Sequence, residues 1–202
     1  MREKITFGTW GGEPLEWLVI AQTETDRVLW CERSVASIPF SLGEKPTAYY
    51  AESDVRRFLG QDFYEGAFSE EEKTHILETE LDCTEYQTYH GAVGVGATAY
   101  RREPLNERVY LLSVREIMRT YALTKEELAN GKRGLIWTRS PDSHTYVSLV
   151  DCTAGILRGE SPYTYETRSY DHTTGMVDSM TFPYTSYPTS LHSVVPAVRL
   201  RK

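Results

Sequence analysis

The chain has 202 residues, 40% of them hydrophobic, a composition typical of a globular protein with a core of ordinary size. It excludes collagen-like, low-complexity and disordered chains. The 22 basic against 29 acidic residues give a net charge of −7, which argues against a nonspecific nucleic-acid binder. No apolar run approaches the ~18 residues of a membrane-spanning helix, and the first residues contain no signal-peptide core. We expect one domain over residues 1–202, located in the cytoplasm, with neither nucleic acid nor membrane as a partner.

The first 40 residues predict three β-strands. The segment Ile5–Gly8 is short and is followed by a Gly-Gly turn. The run Trp17–Ile20 is continuously apolar, which is typical of a strand buried on both faces. Arg27–Cys31 follows a polar hairpin connection and is rich in β-branched and aromatic residues.

Capping signals predict helices in the middle of the chain. Ser53 precedes Val55, Phe58 and Leu59, which share one helical face, and Gly60 is expected to end that helix. In a capping box, a Ser or Thr and the Glu three residues later each bond the other residue's backbone amide. The boxes are Ser69–Glu72, Ser113–Glu116 and Thr124–Glu127, the last with Gly131 as the expected stop.

Residues 80–107 are polar and rich in turn-forming residues, and we predict a flexible loop there. The glycines between His90 and Ala97 do not form a Walker loop, because no Gly-Lys-Ser/Thr follows them. Their G-x-x-G-x-G spacing also differs from the dinucleotide-binding fingerprint. The segment therefore predicts no phosphate-binding site.

The rest of the chain predicts strands again. The last predicted strand is Ser193–Leu200, in which alternate residues share one face by period two. Pro196 cannot donate to a strand ladder, so this strand is expected at a sheet edge or with a bulge. Strands, then helices, then strands predict an α+β fold. The other predicted strands are Val109–Leu112, Leu135–Thr138 and Tyr146–Val150.

A family resemblance is spread over most of the chain. The segments that carry it are Phe7–Gly8, Glu16–Val19, Ser53–Leu59, Ala67–Glu72, Tyr110–Glu116, Trp137–Pro141 and Val195–Leu200. In order and spacing they resemble a family of uncharacterised bacterial domains that is common in Firmicutes and their phages. The last two also resemble the closing strands of C-type-lectin-like and formylglycine-generating-enzyme-like folds, where both strands lie in one sheet.

The resemblance implies a C-type-lectin-like domain with a twisted antiparallel sheet and a few short flanking helices. It implies no particular chemistry. Calcium lectins of this fold carry Glu-Pro-Asn and Trp-Asn-Asp motifs, which this sequence lacks. Formylglycine enzymes need a close pair of reactive cysteines, whereas Cys31, Cys83 and Cys152 are far apart in the sequence.

The cysteines and histidines predict no metal site and no cofactor. Three cysteines at wide spacing do not form a disulfide framework, and their small number suits a reducing compartment. The sequence has no C-x-x-C motif, and no two histidines stand three to five residues apart. The local ligand spacing of zinc sites is therefore missing.

Residues 161–192 have the most unusual composition in the chain. Of these 32 residues, 17 are Tyr, Ser or Thr, and only four are charged. Tyrosine offers a large, stiff contact area, while Ser and Thr supply adaptable hydrogen bonds, as in antibody paratopes. The same residue types favour strands, so a pair of structural β-hairpins is the alternative. The candidate binding residues are Tyr163, Tyr165, Arg168, Tyr170, Asp171, Tyr184 and Tyr187.

Three functional hypotheses follow from the sequence. The first is a non-catalytic module that binds a protein or a glycan through residues 161–192, which lie between the two closing strands, as the binding loops of C-type-lectin-like folds do. The second is an enzyme of unknown reaction with a pocket beside residues 80–107, although no G-x-S-x-G elbow marks a nucleophile. The third is a structural subunit of a phage-derived assembly. Arg139 is expected to face a ligand, to pair with a carboxylate or to stack on an aromatic ring.

Overall fold

The computed structural model describes the backbone of residues 2–83, 85–91, 94–100, 104–130, 132–141, 147–152, 166–170, 177–181 and 184–202. The fold is α+β, with mostly strands and a few short helices, as the order of the predicted elements indicates. The strands are β1 (Lys4–Trp10), β2 (Glu13–Gln22), β3 (Asp26–Cys31), β4 (Ala36–Pro39), β5 (Ile76–Leu77), β6 (Thr79–Leu81), β7 (Glu85–Gly91), β8 (Gly94–Tyr100), β9 (Leu105–Glu107), β10 (Val109–Tyr110), β11 (Leu135–Pro141), β12 (Val147–Asp151), β13 (Glu166–Tyr170), β14 (Val177–Thr181), β15 (Tyr184–Ser186), β16 (Leu191–Val194) and β17 (Ala197–Arg201). The helices are α1 (Asp54–Phe58), α2 (Tyr64–Ala67), α3 (Glu70–Lys73) and α4 (Lys125–Leu128), with π-helical turns at Leu59–Phe63 and Glu116–Thr120 and a 3-10 turn at Tyr50–Glu52.

The first large sheet has the order β1-β2-β3-β17-β10, with β5 also paired to β17, and all its pairs are antiparallel. Strand β2 is buried on both faces from Trp17 to Ile20, as its continuous apolar run predicts. The β1–β2 hairpin turns at Gly11 and Gly12, whose φ angles of 65° and 82° favour glycine. These strands form one wall of the core.

The second large sheet has the order β15-β12-β11-β16-β4. Its pairs are antiparallel except β11–β16, which is parallel with Ile136 opposite Ser193. One cluster of buried side chains joins the two sheets and includes Trp17, Val19 and Trp137, which confirms that both ends of the chain share a core.

The prediction of a single closing strand over Ser193–Leu200 is wrong. Strand β16 belongs to the second sheet and β17 to the first, so the chain crosses between the sheets at Val195 and Pro196. All residues from Val194 to Val198 are buried, because this segment passes through the core, and period two is therefore absent from it. Pro196 lies between the two strands, where its carbonyl accepts the amide of Cys31 at 3.0 Å.

The resemblance also implied that the two closing segments lie in one sheet, and the structure differs. The Trp-x-Arg segment forms β11 in the second sheet, whereas Ala197–Arg201 forms β17 in the first. Strand β11 pairs instead with β16, the strand just before the crossing. The structure therefore keeps a curled, mostly antiparallel β architecture but separates these two segments.

The predicted helix starts are confirmed. The side chain of Ser53 accepts the amide of Arg56, and Ser69 and Glu72 form both bonds of a capping box before α3. Reciprocal bonds also join Ser113 with Glu116 and Thr124 with Glu127. Gly131 lies outside the described residues.

Gly60 does not end the first helix, which corrects the prediction. The chain passes from α1 through the π-helical turn Leu59–Phe63 into α2 and becomes extended only at Phe68. A terminating glycine normally adopts a left-handed conformation, and Gly60 does not. The continuation keeps the buried side chains of Leu59 and Phe63 in the core.

The prediction of a flexible loop over residues 80–107 is also wrong. Strand β7 pairs with β8, and β6 pairs with β9 at the base of the same excursion, both antiparallel. The residues between β7 and β8 lie outside the described part of the chain. The Tyr, Thr and Val residues of these two strands have high β propensity, which the glycines between them made easy to overlook in the sequence.

Candidate functional site

The structure places part of the Tyr/Ser/Thr segment in strands. Strand β13 pairs with β14, with Arg168 opposite Ser179 and Tyr170 opposite Val177. This hairpin agrees with the structural alternative for the segment, and the binding hypothesis for its side chains is untested. Among the other candidate binding residues, Tyr184 lies in β15, Tyr187 follows that strand, and Tyr163, Tyr165 and Asp171 lie outside the described residues.

Three exposed apolar residues lie on neighbouring backbone segments near the end of the Tyr/Ser/Thr segment. Among the side chains that the structure describes, the large hydrophobic ones that are strongly exposed are Leu42, Tyr187 and Leu191, at 62%, 57% and 66%. Leu191 opens β16 and pairs with Pro39 of β4, and Leu42 lies three residues beyond Pro39. We call these three residues the exposed apolar cluster.

Hydrogen bonds hold together the two chain segments that carry this cluster. The amide of Ser190 donates to the carbonyl of Tyr187 at 3.0 Å, which closes a tight turn over residues 187–190. The amide of Ser41 donates to the carbonyl of Pro188 at 3.1 Å, and Pro188 is buried. The turn is therefore anchored at its middle, so the cluster sits on ordered backbone.

A serine and a histidine meet at the base of the same turn. The Nε2 atom of His192 is 2.9 Å from the Oγ atom of Ser186. The imidazole packs edge-on against the indole of Trp137, with ring centroids 4.6 Å apart and an interplanar angle of 83°. Partial burial lowers the pKa of His192 below its ordinary value of 6.5, so the ring is neutral at pH 7.

Trp137 supports the imidazole ring of His192. Its indole N–H donates to the carbonyl of Ile38 at 2.9 Å, and its ring also packs against Phe40 at 5.4 Å. Trp137 is only 1% exposed. The imidazole of His192 therefore lies on a surface that is itself held by β4 and by the segment that follows it.

Arg139 pairs with a carboxylate, as one of the three sequence-based alternatives predicts. Its guanidinium makes a two-point contact with Glu116, with Nη2 2.8 Å from Oε1 and Nη1 bonded to Oε2. Nη1 also donates to the carbonyl of Leu111 at 3.1 Å. Burial opposes the charged form, but the hydrogen bonds to Glu116 raise the net pKa of Arg139. This pair joins β11 to the helix after Ser113 and leaves neither charge for a substrate.

The buried cysteines are poor nucleophiles. Burial raises the pKa of Cys31 to about 11 and that of Cys152 to about 12, so both are protonated thiols at pH 7. The guanidinium of Arg133 opposes both shifts, yet burial outweighs it. Cys83 is partly exposed, and the three cysteines, which all lie within the described residues, form no disulfide.

In the part of the chain that the structure describes, no three His, Cys, Asp or Glu side chains come together as a potential metal site. The described helices are all too short or too polar to cross a membrane.

A protein-family model matches most of this chain. The family described as "Domain of unknown function (DUF6273)" matches residues 25–186, which is most of the sequence. The chain belongs to the DUF6273 family. No curated protein matches it, and no solved structure matches it either.

The DUF6273 match ends at Ser186, but the fold does not. Strands β1, β2, β16 and β17 lie outside the matched residues, and β2, β16 and β17 are inner strands of the two sheets. Tyr187 and His192 also lie beyond the matched range. In this chain, the structural unit therefore includes residues on both sides of the family match.

Sequence reasoning missed Leu42, Leu191 and the Ser186–His192 pair. A single leucine after a strand carries no sign of exposure, because apolar residues are also the usual core residues. Ser186 and His192 are six residues apart, and only the turn between them brings their side chains together. The one available signal was the turn composition Tyr-Pro-Thr-Ser over 187–190, which predicts a tight connection between strands.

Proposed function

We propose that this protein is a binding module that recognises a partner protein through the exposed apolar cluster and the adjoining Tyr/Ser/Thr segment. The observation that carries the proposal is that Leu42, Tyr187 and Leu191, contributed by two distant parts of the chain, gather around one anchored turn. Contiguous exposed apolar patches mark interaction sites on soluble proteins, whereas single exposed apolar residues are ordinary.

The chemistry of the cluster favours a protein over a glycan. Two leucines offer apolar contact without hydrogen bonds, whereas a sugar needs many polar partners for its hydroxyl groups. Tyrosine is a frequent anchor at the centre of protein interfaces. Because the turn is held by the Ser41–Pro188 bond, little conformational entropy is lost on binding.

The partner is expected to contact side chains rather than to add a strand. Strand β4 is an edge of the second sheet, but it has only four residues and ends at Pro39. The carbonyl of Ile38 already accepts the indole N–H of Trp137. A short edge with proline and an occupied carbonyl is a poor template for strand addition.

The finer classification as C-type-lectin-like is part of this proposal. Two features support it: β1 and β17 lie in one sheet, and most of the Tyr/Ser/Thr segment, including β15, lies between β12 and β16 in the sequence. Binding loops of C-type-lectin-like folds occupy a comparable place between closing strands. The enzyme alternative beside residues 80–107 gains no support from Arg139 and Glu116, because they neutralise each other.

The test is site-specific photocrosslinking. A photoreactive phenylalanine analogue at Tyr187 is expected to capture one discrete protein from the source cells, in competition with the unlabelled chain. The matched control is the same analogue at Thr25, an exposed position in the β2–β3 turn. Equal capture from both positions would show nonspecific contact and contradict the proposal.

The captured protein then allows an affinity measurement. Tyr187→Ser and Leu191→Ser are each expected to leave stability within ~0.5 kcal/mol of the parent. At least one should weaken binding by ~2 kcal/mol, about 30-fold. The same change at Tyr163, Tyr165 and Tyr184 extends the test along the segment. If every variant lost stability and none lost affinity, these residues would be structural. If the protein bound a glycan array and no protein, the partner would be a glycan instead of a protein.

A further inference from the structure

The Ser186–His192 pair has the geometry of a nucleophile and its general base. The 2.9 Å distance between Oγ and Nε2 is within the range over which a serine proton passes directly to an imidazole. In the neutral ring with its proton on Nδ1, Nε2 accepts the hydroxyl of Ser186. Both residues are half-buried, so one side of the pair faces solvent.

The surroundings hold the base in place. The edge-on contact with Trp137, at 4.6 Å, limits rotation of the His192 ring, and Trp137 is itself locked by its bond to Ile38. A nucleophile is activated only while its base is aligned, and this packing keeps the His192 ring next to Ser186.

The neighbours of the pair are apolar. Directly opposite residues of paired strands present their side chains on the same face. Val147 is opposite Ser186, and Ile38 is opposite His192. Together with Trp137, they surround the pair with apolar side chains, of which Val147 and Trp137 are buried and Ile38 is half-buried. The residues directly opposite Ser186 and His192 carry no charge, which suits an uncharged substrate.

We propose that Ser186 is a nucleophile, activated by His192, that accepts acyl groups from small uncharged esters. Oγ forms a bond to the ester carbonyl carbon as its proton passes to Nε2. The ester C–O bond then breaks, and the departing alkoxide takes that proton and leaves as an alcohol. Water, deprotonated by His192, hydrolyses the acyl-serine and releases the acid. The net reaction consumes one ester and one water and requires no other reactant.

This activity goes beyond the proposed binding function and does not depend on it. The reacting atoms belong to Ser186 and His192, whereas the exposed apolar cluster consists of Leu42, Tyr187 and Leu191. Partner capture by the photoreactive analogue at Tyr187 and adduct formation on Ser186 are therefore separate readouts. Each proposal can fail without the other.

The test uses the full chain and a fluorophosphonate probe, which phosphonylates an activated serine with loss of fluoride. We expect peptide mass spectrometry to find the adduct on Ser186 and release of p-nitrophenol from p-nitrophenyl acetate by the same protein. Ser186→Ala should abolish both signals. Ser190→Ala, four residues away in the same turn, is the matched control and should leave both unchanged.

His192→Gln separates catalysis from structure. The glutamine amide can still bond to Ser186 but cannot take its proton at neutral pH, so labelling should slow about 100-fold while the melting temperature is retained. Labelling of His192→Gln at the parent rate would overturn the proposal. Absence of any adduct on Ser186 in the parent chain, with melting showing that it is folded, would overturn it equally.

Discussion

Trp137 shows how one side chain organises the second sheet. The ring is 1% exposed, packs between Phe40 and His192, and donates its N–H to the carbonyl of Ile38. It therefore connects β11 with both β4 and β16. A substitution of Trp137 is therefore expected to disturb packing both in the core and at the base of the 187–190 turn.

We predict that Trp137→Ala lowers the free energy of unfolding by ~3–5 kcal/mol, because it removes a fully buried aromatic side chain and leaves a cavity. Urea unfolding followed by circular dichroism measures the change. Trp137→Phe is the control: it keeps an aromatic ring but loses the bond to Ile38, and we expect a smaller loss. Equal stability of Trp137→Ala and the parent would exclude a core role for the ring.

Some residue contacts could be predicted from the sequence, and others could not. The sequence left several roles open for Arg139, among them contact with a ligand and pairing with a carboxylate. The structure shows that it pairs with Glu116. That choice depends on a contact between residues 23 positions apart. Ser186 and His192 were beyond prediction, because neither the path of the turn nor the position of Trp137 follows from local patterns.

At the scale of elements, local signals predicted the helix starts well. Ser69 and Glu72 satisfy each other's backbone amides within four residues, so no distant part of the fold is needed. Helix ends are less local. Gly60 stands where a helix-ending glycine is expected. Burial of the Leu59 and Phe63 side chains stabilises the continuing helical turns instead. Packing therefore overrides a weak terminating signal.

Two glycines in this helical region allow a matched test. A Cβ atom at Gly66 would lie 2.9 Å from Cζ3 of Trp10, whereas at Gly60 the nearest atom, on Glu107, is 3.9 Å away. The Trp10 ring cannot easily withdraw, since its N–H donates to the carbonyl of Val35 at 2.8 Å. Gly66→Ala therefore crowds a fixed ring, and Gly60→Ala does not.

We predict opposite signs for these two substitutions. Gly60→Ala should stabilise by ~0.5–1 kcal/mol, because alanine loses less backbone entropy in a helix. Gly66→Ala should destabilise by ~1–3 kcal/mol through overpacking. Chemical denaturation of both variants under the same conditions measures the difference. If Gly66→Ala were as stabilising as Gly60→Ala, the contact with Trp10 would not constrain the helix.

At the scale of the whole molecule, the first sheet depends on a charged pair between two central strands. The carboxylate of Asp26 in β3 accepts from Nε and Nη2 of Arg199 in β17, at 2.9 and 3.0 Å. These hydrogen bonds hold the pKa of Asp26 below its ordinary value of 3.8, although burial opposes the shift. Unfolding releases this carboxyl to its ordinary pKa.

This predicts a contribution of Asp26 to acid stability. A carboxyl with a lowered pKa in the folded state stabilises fully above its unfolded pKa, and the contribution is lost as the pH falls through the folded value. Asp26→Asn should therefore be less stable than the parent at pH 7, and the difference should shrink below pH ~4. Thermal melts across pH 2–7 measure it, with exposed Asp62→Asn as the control. A pH-independent difference would assign the effect to packing.

Metal removal gives a further prediction for the whole molecule. The sequence has no zinc-type ligand spacing, so treatment with EDTA should leave the melting temperature unchanged. Differential scanning fluorimetry with and without chelator measures this. A drop of many degrees that calcium or zinc reverses would instead reveal a metal site built from distant residues.

The overall class was predictable, but the connection of the sheets was not. The order of strands and helices indicated α+β, because apolar periodicity and capping signals are local. The crossing at Val195 and Pro196 could not be predicted from the sequence, because a buried crossing and a buried strand have the same apolar composition. Which sheet a strand joins depends on hydrogen-bond partners that are distant in the sequence, as Cys31 is from Pro196.

That crossing has a consequence for how the protein is made. Strand β16 pairs with β11 and β4, β17 pairs with β3, β5 and β10, and every one of these partners is synthesised earlier. Until residues 191–201 leave the ribosome, both sheets lack an inner strand and expose unpaired edges. A premature stop codon before residue 191 would therefore produce a chain that cannot close either sheet and is prone to aggregation and degradation.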